Sequence, residues 1–188
     1  MEELKIYSVS DRYIEYLRKD FPNVYQNKEE QRKHTRKYTG ILLKIEGFHY
    51  YVPMSSPKKT DYQVAGDKII IKKSIVPIVR IVVKNSKGEK ELKGTLRISH
   101  MIPVPATELE LYDVEREQDE TYKDLVQDEI IFIRKNREKI RKNAELLYRQ
   151  KVESDTTAEY VKHALDFKKL EQKCNEFDMK MTEEVNES

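Results

Sequence analysis

Tryptophan is absent from the 188-residue sequence, glycine occurs five times, proline six times and cysteine once. The single Cys174 excludes an internal disulfide and any site built from paired cysteines. It points instead to a reducing compartment. His34, His49, His100 and His163 are far apart, with no cysteine or carboxylate at ligand spacing, so no metal centre is expected. The longest apolar runs are much too short to span a membrane. The opening Met1-Glu2-Glu3-Leu4-Lys5 lacks the basic segment and apolar run of a secretory signal. No internal repeat is evident. The expectation is a soluble, cytoplasmic protein with no membrane partner.

Charged residues make up 37% of the chain and hydrophobic ones 38%, which implies a modest core under a very polar surface. Twelve tyrosines supply most of the aromatic surface, each pairing a stacking face with a hydroxyl. The net charge is only +2, but the two signs are unevenly distributed.

The apolar periodicity divides the chain. Leu4 to Val9 alternates as a strand, and Ser10 or Asp11 caps a short helix through Tyr13, Ile14, Tyr16 and Leu17 that ends near Phe21-Pro22. Asn23 to Lys37 is a polar loop with a basic run of Arg32, Lys33, His34, Arg36 and Lys37. Tyr38–Ile45 and Phe48–Met54 form a hairpin turning at Gly47. Thr60 to Asp67 reads as a loop and Lys68 to Lys72 as a strand. Ile75 to Val83 is a β-branched strand that begins late or runs at an edge because of Pro77. Asn85-Ser86-Lys87-Gly88 turns it back into Leu92–Ser99, and His100 to Pro105 closes the sheet. An acidic linker from Glu108 to Glu120 follows. One long helix is then expected over about Thr121–Lys151, and a last one opened by a Thr156/Glu159 capping box and carrying Tyr160 to Phe177. The tail from Thr182 is acidic and read as frayed. Strands first and helices afterwards predict a single α+β domain, with the sheet over about residues 1–107 and the helical part over about 119–180. Short, turn-rich strands fit a strongly curved antiparallel sheet or partly open barrel.

One stretch combines a stiff backbone with donor chemistry: Tyr51-Val52-Pro53-Met54-Ser55-Ser56-Pro57-Lys58-Lys59. Pro57 fixes its own φ and pushes Ser56 toward an extended conformation. Two hydroxyls and two ammonium groups at such a tip suit a phosphate, whose oxygens accept from both. Taken alone, the pattern is more often a solvated turn. Tyr7, Tyr13 and Tyr38 are candidates to stack on bases, although pattern alone favours core packing for each. His49 is expected half-buried on a strand, His100 in a structural hydrogen bond, and Cys174 in the core. The lysines of the sheet half, Lys68 to Lys93, form a solubilising surface or an RNA groove.

Several stretches together resemble the ToxN/AbiQ endoribonuclease toxins of type III toxin–antitoxin and phage abortive-infection systems. They are Ile6-Tyr7-Ser8-Val9-Ser10 leading to Tyr13-Ile14-Glu15-Tyr16-Leu17, Arg36-Lys37-Tyr38-Thr39-Gly40-Ile41, the tip, and His100-Met101-Ile102-Pro103-Val104. The resemblance covers essentially the whole chain. It implies a barrel-like sheet related to the Kid/MazF toxins and RNA cleavage without metal or cofactor. It also implies inhibition by a small repeat antitoxin RNA that the enzyme cuts from its precursor, hetero-oligomers bridged by that RNA, and growth arrest that aborts phage infection, with cellular or phage RNA as substrate.

Carried over by position, Ser55 stands where the family often has threonine, while Ser56 and Lys58 match its serine and lysine. Tyr13 matches a tyrosine lining the site, which for this residue reverses the core reading. Arg36 takes about the place of a basic residue before the second strand, with Lys33 or Lys37 as alternatives. Lys59, Tyr38 and Tyr7 complete the RNA-binding candidates. In this reading the substrate's 2′-OH attacks phosphorus, Lys58 stabilises the phosphorane and Ser56 orients the phosphate or the 2′-OH, with Ser55 secondary. The products carry a 2′,3′-cyclic phosphate and a 5′-OH. The competing readings are a non-catalytic module that grips single-stranded nucleic acid and a protein-docking module that uses the acidic linker and helices.

Overall fold

The structure is a computed structural model that describes residues 5–28, 33–154 and 157–186. β1 (Lys5–Val9) leads into α1 (Asp11–Arg18), whose first turn is capped by Ser10 Oγ accepting from the Tyr13 amide. β2 (Tyr38–Ile45) and β3 (Phe48–Ser55) pair antiparallel around Glu46-Gly47. Both turn residues have positive φ, 50° and 93°, the geometry that a two-residue hairpin needs to match strand twist. β4 (Tyr62–Ala65) and β5 (Lys68–Ile71) form a separate two-stranded ribbon. β6 (Ile78–Lys84), β7 (Lys90–Arg97), β8 (Ile102–Pro103) and β9 (Leu109–Leu111) complete the strands.

The main sheet has the order β6-β7-β3-β2-β1-β9, with β8 pairing β3 off this path. Every pairing is antiparallel. Its terminal strands β6 and β9 do not pair with each other, so among the described residues the sheet is open and no closed barrel forms. Helices follow the strands: α2 (Glu120–Lys135), α3 (Arg137–Val152), α4 (Glu159–Lys162) and α5 (Phe167–Asn186). α2 lies against β6 and β7, α3 against β2, and α5 against β8. Between sheet and helices Leu17, Ile81, Leu96, Ile98, Met101, Ile133, Ile140 and Phe167 are sealed from solvent. Each such side chain contributes about 1.5–3 kcal/mol of burial. The seam also holds a buried carboxylate. Tyr50 and Tyr148 donate to Glu171 Oε1 at 2.8 and 2.7 Å, and Lys168 Nζ lies 3.1 Å from Oε2.

The structure revises several expectations. The long helix is two helices. Asn136 leaves helical geometry at φ −105°, ψ 10°, and its Nδ2 donates to the Phe132 carbonyl at 2.8 Å, a side-chain bond that competes with the ladder. The last helix is likewise split, with a turn between α4 and α5; Thr156 of the expected capping box lies outside the described residues. Residues 62–65, read as loop, are strand β4. The acidic linker is not merely a linker, because β9 within it pairs with β1. α5 continues to Asn186 where fraying was expected. His49 is exposed, not half-buried. Pro77 behaves as its chemistry requires: β6 starts after it and lies at the sheet edge.

Candidate functional site

β3 ends in the tip. Its last residue, Ser55, is paired with Thr95 of β7 and is 6% exposed. The next residues turn outward: Ser56, Lys58 and Lys59 are exposed and Pro57 is half-buried. The tip is held from two sides. On the first side stands Arg36, 2% exposed, whose Nη1 donates to Ser55 Oγ at 2.9 Å and to the Met54 carbonyl at 3.1 Å. Its Nε donates to the Gln26 carbonyl at 3.0 Å, and its guanidinium lies 4.5 Å from the ring centre of Tyr25. The Tyr25 ring also stacks on His100 at 4.4 Å and 11°.

On the second side stands Asp61, 1% exposed. Its Oδ2 accepts the Lys58 amide at 2.9 Å, and its own amide donates to the Lys58 carbonyl at 2.9 Å, closing the turn. Its Oδ1 accepts from Arg80 Nε at 3.1 Å and lies 3.0 Å from Arg80 Nη2, while Arg97 Nη2 is 3.4 Å from Oδ2. A carboxylate this deep is tolerable because two guanidinium groups and an amide replace its water. Arg80 in turn donates to the Lys73 carbonyl at 2.8 Å. Arg97 Nε is buried with no hydrogen-bond partner among the described residues. Three buried guanidinium groups, Arg36, Arg80 and Arg97, therefore stand behind the tip, the last two paired with Asp61.

His100 borders this cluster. Its Nδ1 lies 2.9 Å from Ser99 Oγ. Burial, and then the charges of Arg97, Arg36 and Lys58, push its pKa down to about 4, so the ring is neutral at pH 7. The expected structural hydrogen bond is present. The ring's stacking on Tyr25, which carries the Arg36 guanidinium on its own ring, places it behind the tip.

The remaining candidates are dispersed. Tyr13 is 0% exposed. Its hydroxyl donates to the Pro103 carbonyl at 2.7 Å and its ring meets Phe177 edge-on at 5.0 Å, so no face is free for a base. Tyr38 is 1% exposed and lies in the core for the same reason, because β2 is flanked by β1 and β3 and covered by α3. Tyr7 is half-buried against Tyr51, ring centres 5.5 Å apart. Arg36 is an internal strut rather than a surface contact. Lys33 is exposed but sits 2.6 Å from Asp119 Oδ2, beside His34, which stacks on Tyr122 at 3.7 Å. Lys59 is exposed at the tip. Cys174 is buried, as expected.

Asp61, Arg80, Arg97 and Tyr25 were not among the sequence candidates. One carried a visible signal: Arg80 interrupts the β-branched run Val79–Val83, whereas Arg97 takes a polar position in the Leu92, Leu96, Ile98 alternation and gives none. A charge inside a buried strand demands a partner, and Asp61 is the carboxylate that answers. Among the described residues no group of three or more His, Cys, Asp or Glu could hold a metal ion, and no helix is long and apolar enough to cross a membrane.

Comparison with known proteins bears on this geometry. The chain is 28% identical over 179 residues to endoribonuclease ToxN of Bacillus thuringiensis subsp. kurstaki, covering 92% of this chain and 84% of that protein. It is 31% identical over 179 residues to endoribonuclease AbiQ of Lactococcus lactis subsp. lactis, covering 95% and 92%. The solved structure of AbiQ, described as a lactococcal anti-phage endoribonuclease of the type-III toxin-antitoxin system, superposes with a TM-score of 0.73 at 28% identity, over 95% of this chain and 99% of that one. A type III toxin solved in work on selective toxin inhibition by a non-coding RNA pseudoknot gives a TM-score of 0.72 at 28% identity, over 94% and 99%. The model of the family "Toxin ToxN, type III toxin-antitoxin system" matches residues 5–175, and the chain belongs to that family.

Proposed function

We propose that this protein is an endoribonuclease toxin that cuts RNA at the Ser55–Lys59 tip, is held inactive by a small structured repeat RNA, and aborts phage infection when released. The observation that carries this reading is the division of labour at the tip. Ser56 and Lys58 are both exposed, two residues apart, on a turn held by Arg36 and by the Asp61 clamp. Donors that are already in place need no reorganisation when charge develops on phosphorus.

The substrate supplies the nucleophile. Its 2′-oxygen bonds to the adjacent phosphorus as the 2′-proton departs, the P–O5′ bond breaks, and the 5′-oxygen gains a proton. A 2′,3′-cyclic phosphate and a 5′-OH result. Lys58 acts as the charge that stabilises the phosphorane and Ser56 as the hydroxyl that hydrogen-bonds the phosphate. Ser55 lies below them, and its hydroxyl takes the Arg36 proton donor. It positions the turn instead of touching RNA. Arg36, Arg80 and Arg97 add positive potential beneath the site.

The experiment is incubation of the purified protein with a long RNA in excess EDTA, followed by mapping of the ends. Cyclic-phosphate and 5′-OH ends, lost in Ser56→Ala and Lys58→Ala proteins that retain their fold, support the reading. Cutting of a substrate with a 2′-deoxy sugar at the scissile position would falsify the internal-nucleophile mechanism. Salt-sensitive binding without any cutting would favour the non-catalytic module.

A further inference from the structure

Four large apolar side chains stand in water shortly after the tip: Val64 is 77% exposed, Ile69 75%, Ile75 51% and Ile70 40%. The ribbon register arranges part of this set. Tyr62 is opposite Ile71 and Val64 is opposite Ile69, so these four share one face of β4–β5. That face runs from half-buried Tyr62 and Ile71 at the base to exposed Val64 and Ile69 near the turn. β4 and β5 pair only with each other among the described residues. A two-stranded ribbon is marginal in water, and an exposed apolar stripe on it marks a contact surface.

Charge and position select the occupant. Residues 58–73 carry Lys58, Lys59, Lys68, Lys72 and Lys73, none of them in an ion pair among the described residues. Of the two carboxylates in the segment, Asp61 is committed to Arg80 and Arg97, and Asp67 sits at the turn. A second copy of this chain would bring the same lysines against these, and like charges oppose such a pairing. Single-stranded RNA brings phosphates for the lysines and, once unstacked, flat base faces for the apolar side chains. The ribbon also starts where cutting is proposed: the turn Lys59–Asp61 opens it, and the Lys72 amide returns to the Asp61 carbonyl at 2.9 Å. Both of its ends are thus fastened to the residue that clamps Lys58.

We propose that the β4–β5 ribbon is a track for the single-stranded RNA flanking the scissile phosphate. Val64 and Ile69 pack on unpaired bases on one face. Lys68 on the opposite face, with Lys72 and Lys73 beyond the strand, meets the backbone as it passes round the edge of the ribbon. This rests on the reading of the tip as an RNA-cutting site and extends it to a strand-binding surface. At about 3.4 Å per residue, four-residue strands reach roughly 13 Å beyond the anchor. Only RNA that continues past the cut touches them.

The test compares binding of two fluorescent probes by the full-length protein. One is a trinucleotide centred on the mapped cut. The other has the same centre and a length of about twelve nucleotides, within the usual span of a single-strand site. Both carry 2′-fluoro groups in place of every 2′-OH. The expected result is that Val64→Ser/Ile69→Ser removes about tenfold of the long probe's advantage over the short one, while circular dichroism shows the fold intact. Lys68→Gln/Lys72→Gln should lower the salt slope for the long probe by about 1.4. An unchanged length advantage in the Val64→Ser/Ile69→Ser protein overturns the proposal. So does a sedimentation result in which that variant only abolishes self-association. Ser56→Ala and Lys58→Ala proteins that still cut ordinary RNA would defeat the tip reading separately, because the length comparison measures binding alone.

Discussion

Asp61→Asn is the most direct probe of how the tip is held. The substitution keeps the shape of the side chain and removes its charge. Arg80, 3.0 Å away, and Arg97, 3.4 Å away, are left as buried guanidinium groups without a counter-charge. Breaking a buried ion pair from one side costs about 3–5 kcal/mol. The amide oxygen of asparagine still accepts one hydrogen bond, which places the expected loss near the lower end, about 3 kcal/mol. In a chain of this size each kcal/mol moves Tm by about 2–4 °C, so thermal unfolding followed by circular dichroism should shift down by roughly 6–12 °C. The variant should still fold at 25 °C, since domains hold about 5–15 kcal/mol in reserve. Cleavage should suffer separately. The Lys58 amide loses its charged acceptor at 2.9 Å, and a displacement of about 1 Å at a reacting group costs on the order of 100-fold in rate. Asp61→Asn/Arg80→Met should recover part of the stability, because one orphaned charge is gone, without restoring the rate. An unaltered Tm together with full single-turnover activity would refute the clamp.

Other consequences are checked more simply. The depressed pKa of His100 means that the unfolded chain takes up its proton first as pH falls. The stabilisation is fully present above about pH 6.5 and is lost progressively down to about pH 4, up to ~3 kcal/mol. Urea unfolding of His100→Gln at several pH values should be flatter across that window, and a parallel curve would show that another group is responsible. Gly94→Ala would set a methyl group against Glu129 Oε1 and 3.2 Å from the Ser55 carbonyl. It should destabilise by about 1–3 kcal/mol, and Gly94→Ala/Glu129→Ala should regain part of the loss in the same urea assay. Ser10→Ala removes the cap of α1 together with a hydroxyl that donates to Glu108, and a drop of about 1–2 kcal/mol in unfolding free energy is expected.

The sheet was legible where local chemistry decides it. The hairpin β2–β3, the late start of β6 after Pro77 and the turn at Asn85–Gly88 all follow from residues that admit few alternatives. The break at Asn136 was not legible, because the apolar stripe Ile130, Ile133, Ile140 runs through it and only the side-chain bond to Phe132 reveals the interruption. Strand β4 was hidden for a different reason. Val64 points into water, and a pattern reading expects apolar residues to face a core. At the site, the exposed hydroxyl and ammonium of Ser56 and Lys58 could be read from the tip itself. Their support could not, since Asp61 finds Arg97 across 36 positions and only the fold brings them together. The tyrosines show the opposite limit. A stacking face is visible in sequence, but Tyr13 and Tyr38 spend theirs inside the protein.

The strand order has a bearing on synthesis. β1 lies inside the sheet, yet its outer neighbour β9 comes roughly a hundred residues later, with Tyr7 facing Leu111. A growing polypeptide leaving the ribosome therefore carries an unsealed flank until residue 111 has emerged. The Ser55–Lys59 tip is made early, but the arginines that hold its Asp61 clamp, at 80 and 97, arrive only afterwards. A truncated product ending before Arg97 would possess the Ser56 hydroxyl and the Lys58 ammonium without the scaffold that aims them, so the complete tip exists only once the protein is more than half made.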